Sequence, residues 1–286
     1  MKILVTGATG QLGGKIVEFL LNKVAVSAII AGTTNPASEK AQALIAQGIE
    51  VRKTDFEDQQ SLVTAFEGVD KLFIVSTFGD IETTTRHQKN AVEAAKVVAV
   101  KQIVYSSAPR ADESDFVLAG PHRVRENIIK EAGIPYVFVR NNWYVENELG
   151  TIQQCLKGAP WVTAAGEGTV GWVLRADLAE ATANVLATDG HDNKVYELGG
   201  ENLTQADFVT ALNEVTGKEI SVMNVDDKTY SAMLEQANVP AEMIGMLTMV
   251  QQGIREGGLE NNSTDLEMLL GRKPASVKEA LQQLLA

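Results

Sequence analysis

The chain carries a single cysteine, Cys155, and three histidines in 286 residues. No intramolecular disulfide can form, and a thiolate metal site has no donor set, so Cys155 is expected to be a small apolar filler. His87 and His191 stand among polar neighbours with no companion ligand at metal spacing; they read as solvated, and no metal is expected. Basic residues are also short, 25 Lys and Arg against 37 Asp and Glu, which leaves a formal net charge of −12. That balance offers no basic patch to a phosphate backbone and argues against nucleic acid as a direct ligand. No apolar run approaches bilayer-spanning length, and no charged leader precedes an apolar signal core. The expectation is a soluble cytoplasmic protein without membrane contact. Repeats, charge blocks and low-complexity linkers are missing as well.

What is present is concentrated at the start. Residues 2–6 form a short apolar, β-branched run that reads as a buried strand, and Leu12, Ile16, Phe19 and Leu20 then recur at helical spacing. Between them stand Gly7, Gly10 and Gly13. Gly7 permits the tight turn off the strand, Gly10 lets a pyrophosphate approach the backbone, and Gly13 lets helix and strand pack closely. Thr9, Gln11 and Leu12 complete this cofactor-binding loop. The glycine spacing x-x between each pair, in Thr6-Gly-Ala-Thr-Gly-Gln-Leu-Gly13, resembles the extended and atypical short-chain dehydrogenase/reductase superfamily, whose members bind NAD(P).

Further strands are expected at residues 28–31, 50–53, 71–75, 102–105 and 134–140, with helices at 37–47, 86–98 and 124–132 between them. A further helix is expected to start at 141–147. This alternation predicts an α/β fold, a Rossmann-type doubly wound parallel sheet with a smaller C-terminal α/β lobe. Residues 1–150 would form the dinucleotide-binding core, and 151–286 would complete that core and build the substrate lobe.

The loop 32–36 should lie beside the adenosine ribose. It offers neither an acid for a 2′-hydroxyl nor an Arg for a 2′-phosphate, only the neutral Thr33, Thr34 and Asn35, with Lys40 further along the helix. Asp55 and Phe56 resemble the superfamily's adenine-edge pair, and Asp58 could cap the helix beside them. Ser76, Thr77 and Phe78 end the fourth strand, and Ser106 and Ser107 end the fifth, where ligands of such sheets bind. Superfamily members acting on alcohols use a Tyr followed four residues later by a Lys, the cation lowering the phenol pKa. Alignment of the helix around Glu126 places Leu118 and His122 at those positions. His122 is therefore a candidate for contact with the nicotinamide ribose or for proton transfer.

The strand ending in Arg140-Asn141, followed by Asn142-Trp143-Tyr144, resembles NmrA-like quinone oxidoreductases and triphenylmethane dye reductases. Arg175-Ala-Asp177 and the closing 271–281 segment also match superfamily patterns. Trp143 and Tyr144 either pack the core or wall a flat substrate slot. Asn141, Tyr144 and His122 are the candidate catalytic residues. The resemblance implies a reductase that transfers a hydride from NADP(H) or NAD(H) to a quinone or similar small planar acceptor, with neither flavin nor metal, as a monomer or homodimer. Such relatives carry an Arg where Thr34 stands, which leaves the cofactor preference open. A second class also stays open: an NmrA-like regulator that keeps the dinucleotide site and lets its occupancy govern a protein partner.

Overall fold

The computed structural model describes residues 1–77 and 79–286. In chain order its elements are β1 (Ile3–Val5), α1 (Gln11–Leu20), β2 (Ile29–Thr33), α2 (Glu39–Ala46), β3 (Glu50–Lys53), α3 (Gln59–Phe66), β4 (Lys71–Ile74), α4 (Ile81–Val97), β5 (Gln102–Ser107), α5 (Ala119–Glu131) and β6 (Tyr136–Asn141). They continue with α6 (Leu149–Leu156), β7 (Trp161–Thr163), α7 (Arg175–Ala187), β8 (Lys194–Leu198), α8 (Gln205–Thr216), β9 (Val222–Asn224), α9 (Asp227–Gln236), α10 (Ala241–Arg255), α11 (Asp265–Leu270) and α12 (Val277–Leu284).

The main sheet is parallel throughout, in the order β3-β2-β1-β4-β5-β6-β8. Alternate residues of each strand face opposite layers of helices. Ile3, Val5, Phe73, Val104 and Val137 pack with α1 and α7, whereas Leu4, Leu72, Ile103 and Phe138 pack with α3, α4 and α5. This is the expected Rossmann-type α/β sheet, apolar on both faces as helix-covered parallel strands must be. Its strand order turns back between β1 and β4, which opens a ligand crevice at the carboxyl ends of those strands.

Residues after 151 serve two regions. β8 extends the main sheet beside β6, and α7, whose Ala179, Ala181 and Ala183 are all buried, lies close against α1. The rest builds a second lobe around the short parallel pair β7 and β9. There Trp161 and Trp172 pack at a tilt against Phe208, at 5.2 and 4.8 Å between ring centroids, inside a cluster drawn from α6, α8, α10 and α12.

Several boundaries differ from the sequence reading. α4 begins at Ile81 instead of 86, because the Asp80 carboxylate caps it by accepting the Thr83 N–H at 2.8 Å. α5 begins at Ala119 instead of 124; Pro121 falls in its first turn, where a missing N–H costs nothing. β2 starts at Ile29 and runs through Thr33, which pairs with Lys53. No helix starts at 141. Asn141 ends β6, the Asn142 N–H donates to the Leu198 carbonyl, and Tyr144 bridges to Val173. The backbone groups that a helix would have used internally are spent on the end of β8 and on Val173, and after a single 3-10 turn at 145–148 α6 starts at Leu149.

Candidate active site

At the end of β1, Gly7 adopts φ +63°, and a Cβ there would fall 2.7 Å from Val75 Cγ1. A Cβ on Gly13 would fall 2.3 Å from the Gly7 carbonyl oxygen, so only glycine lets α1 pack this close to the loop. Gly10 caps α1 in extended conformation, with no side chain bonded to the helix end and no acid in the first turn. The first N–H groups of α1, at Gln11 and Leu12, are therefore left for an external acceptor, while the Leu12 side chain is buried in the core. This cradle fits a pyrophosphate.

The β2 loop is tied to the cradle. Thr9 Oγ1 lies 3.0 Å from Thr33 Oγ1, the Asn35 N–H donates to the same Thr33 oxygen at 3.4 Å, and Lys40 Nζ reaches the Thr9 carbonyl at 3.5 Å. Asn35 Oδ1 accepts the Ala37 N–H. Thr33 is buried and already engaged, whereas Thr34 is exposed.

Beyond β3, the Asp55 carboxylate accepts the Glu57 N–H at 3.1 Å and pairs with Lys53 at 3.3 Å, and the Phe56 carbonyl accepts from Asn90. His87 is not solvated as expected. Its Nε2 meets Glu57 at 2.8 Å, its Nδ1 lies 3.3 Å from Thr77 Oγ1, and its ring faces Phe56 at 5.9 Å, so it joins the loops after β3 and β4. Arg86 and His87 hold the Glu57 carboxyl down to about 2. His191 is likewise engaged, through Tyr196 and Thr188. Ser76 donates its N–H to Ser106 Oγ at 2.9 Å, joining the ends of β4 and β5. Ser107 turns elsewhere: its hydroxyl donates to the buried Glu126 at 2.6 Å. Phe78 lies outside the described residues.

At the end where the nicotinamide would lie, His122 on α5 meets the Tyr105 hydroxyl through Nδ1 at 3.0 Å. Burial, with Arg125 nearby, lowers the His122 pKa to about 3 and holds it neutral. Burial pushes the Tyr105 phenol upward, so it stays protonated too. On β6, Asn141 Nδ2 donates to the Tyr144 hydroxyl at 3.3 Å, and its buried Oδ1 has no hydrogen-bond partner among the described residues. The Arg175 guanidinium lies 5.0 Å over the Tyr144 ring. Trp143 and Tyr144 do not form one slot: extended backbone sends Tyr144 to the core beneath the main sheet and Trp143 into the second lobe.

A glycine cradle at a parallel-sheet switch point defines a fold, and the whole-chain comparison defines the family. The NmrA-like family model matches residues 1–281. The chain belongs to the NmrA-like family. It is 37% identical to quinone oxidoreductase 2 of Escherichia coli (strain K12), covering 99% of this chain and 98% of that one. The NADPH-dependent quinone oxidoreductase from Escherichia coli in complex with NADPH superposes with a TM-score of 0.94 at 36% identity, over 99% of this chain and 100% of the other. Triphenylmethane reductase from Citrobacter sp., complexed with NADP(H), gives 0.93 at 36% identity over 99% of each chain.

Three features of this NmrA-like protein escape sequence reading. Tyr105 looks like any strand aromatic until its hydroxyl is seen on His122. Arg140 resembles a motif residue, yet it binds Glu126 through two contacts, at 2.9 and 2.7 Å, and also Asp112 and Glu197. Asp177, near a helix start as expected, accepts from Arg272 and the Ala275 N–H and so anchors the closing segment. The partners of the last two lie 14 to 98 residues away, and no local pattern announces them.

Proposed function

We propose that the chain is an NADPH-using reductase of quinones or similar planar acceptors. The observation that carries this reading is the pairing of His122 with the Tyr105 hydroxyl at 3.0 Å beyond the glycine cradle, where no Tyr–Lys pair stands. His122 is held neutral, and burial keeps the Tyr105 and Tyr144 phenols protonated. Leu118 and His122 occupy the places of the alcohol-oxidising Tyr and Lys. A reaction run there must do without a strong acid near neutral pH, and reduction of a quinone does, because its phenolate product is a weak base. The reduced dinucleotide, when bound, supplies the hydride. The protein contributes position: the α1 N–H groups would hold the pyrophosphate, the Thr9–Thr33 contact fixes the loop that would face the ribose, and the unpartnered Asn141 Oδ1 would offer a polar contact beside the reacting rings.

The relatives named above as quinone and triphenylmethane reductases support an enzyme, and the regulator reading has no observation in its favour. The decisive experiment follows NADPH oxidation at 340 nm with a series of benzoquinones and naphthoquinones, alongside simple alcohols with NADP⁺. Quinone turnover without alcohol oxidation is expected. Silence across every quinone would sink the reading.

A further inference from the structure

The second lobe holds a cavity of about 500 Å³ between α6, β7, α9 and α10. Trp143, Trp161, Met233, Leu234, Leu247 and Ile254 supply its apolar wall. Glu148 is the one charged residue lining it among the described residues, and no Lys, Arg or His borders it. Glu148 Oε1 accepts the indole N–H of Trp143 at 2.9 Å and that of Trp172 at 3.1 Å. Its Oε2 has no hydrogen-bond partner, and the carboxylate joins no ion pair, among the described residues. Burial pushes this carboxyl up against the pull of the two indoles, and its charge helps burial push the Tyr230 phenol up to about 12.

Holding two indoles in place does not need a charge, since a glutamine carbonyl would accept the same two N–H groups, and the half-buried Glu148 keeps its second oxygen for another donor. We propose that this cavity binds a ring-bearing organic ammonium compound, its apolar body among Trp143, Trp161 and Leu234 and its N–H donors on Glu148 Oε2. The volume falls in the range of small-molecule sites, and indole faces favour a neighbouring cation. A neutral planar acceptor gains nothing from Glu148, and an anion is repelled by it. The site thus differs in charge preference from the crevice assigned to the quinone, and it can be tested without cofactor or turnover.

All three tryptophans stand at or beside the cavity, so intrinsic fluorescence reports its occupancy. The full chain without cofactor is titrated with 4-tert-butylbenzylamine, protonated at pH 7.5, and with the neutral 4-tert-butylbenzyl alcohol; calorimetry gives the dissociation constants. The ammonium is expected to bind at least about tenfold more tightly than the alcohol, since a charge-assisted hydrogen bond is roughly twice as strong as a neutral one. Glu148→Gln is expected to bring the ammonium down to the alcohol's affinity and leave the alcohol unchanged. Equal affinities in the unaltered protein, or no binding of the ammonium, would overturn the proposal even if the variant fails to fold. An undiminished preference in a folded Glu148→Gln would overturn it as well.

Discussion

His122 reaches the Tyr105 hydroxyl from a half-buried position, and the folded chain holds it neutral down to about pH 3, whereas an unfolded chain protonates it near 6.5. Because the folded pKa is the lower one, its contribution to stability is complete above the unfolded value and shrinks as pH falls through 6.5 toward 3. Between pH 6.5 and 5 the loss should amount to at most about 2 kcal/mol, given about 1.36 kcal/mol per unit. Urea midpoints at pH 7 and 5 should show this loss in the unaltered chain and a smaller one in His122→Gln. Equal losses in both would mean that His122 titrates normally. Thr34 carries a second prediction at this scale. Thr33 is buried and bonded to Thr9, which leaves exposed Thr34 to face a 2′-phosphate, and Thr34→Arg should tighten NADPH by roughly 1.5–3 kcal/mol while NADH is unchanged. The ratio of the two dissociation constants decides it; an unmoved ratio would place residue 34 away from the ribose. Both residues were legible in the sequence by position. Their surroundings were not, because the burial that neutralises His122 comes from residues brought in by the sheet.

Among the elements, the turn from β1 to α1 could be read almost completely, since each glycine answers a local steric demand and the next residues repeat at helical spacing. The segment after β6 could not. Its composition suits a helix start, but Asn142 and Tyr144 pair with Leu198 and Val173, partners that lie 56 and 29 residues further along the chain and that no local pattern announces. The same join carries the Arg140 cluster, in which β6, α5 and β8 meet. Burial opposes the Arg140 charge, yet Glu126, Asp112 and Glu197 together raise its pKa further above the ordinary value. Glu126 is fully buried, so Arg140→Leu would remove both of its guanidinium contacts and leave its carboxylate only the Ser107 hydroxyl and the more distant Lys130 ammonium at 3.8 Å. The expected cost is about 3–5 kcal/mol, the range for breaking a buried pair, measured as a drop in denaturant stability. A companion Glu126→Gln with Arg140→Leu should recover part of it. If the single change costs less than about 1 kcal/mol, water reaches the cluster and the pairing matters little.

For the whole molecule, the doubly wound parallel sheet followed from the alternation of strands and helices, while the second lobe was read as a smaller α/β unit without its strand pairing. The partnership of β7 with β9 joins three-residue strands too short to show a period. Among the described residues no helix is long and apolar enough to cross a membrane. The packing of α7 on α1 has a consequence in time. The loop that would hold the dinucleotide is written in the first fourteen residues, yet the helix that follows it finds its buried neighbour only when residues 175–187 have left the ribosome. Contacts so distant along the chain form late, after the entropy of a long loop has been overcome. A nascent chain of residues 1–150 should accordingly fail to retain NADPH on a filter, whereas one of 1–286 should retain it. Retention by the shorter chain would mean that β1, β2 and β4 hold the cradle unaided. On this view the cofactor arrives as a late ligand, and its binding reports that synthesis has run past the middle of the chain.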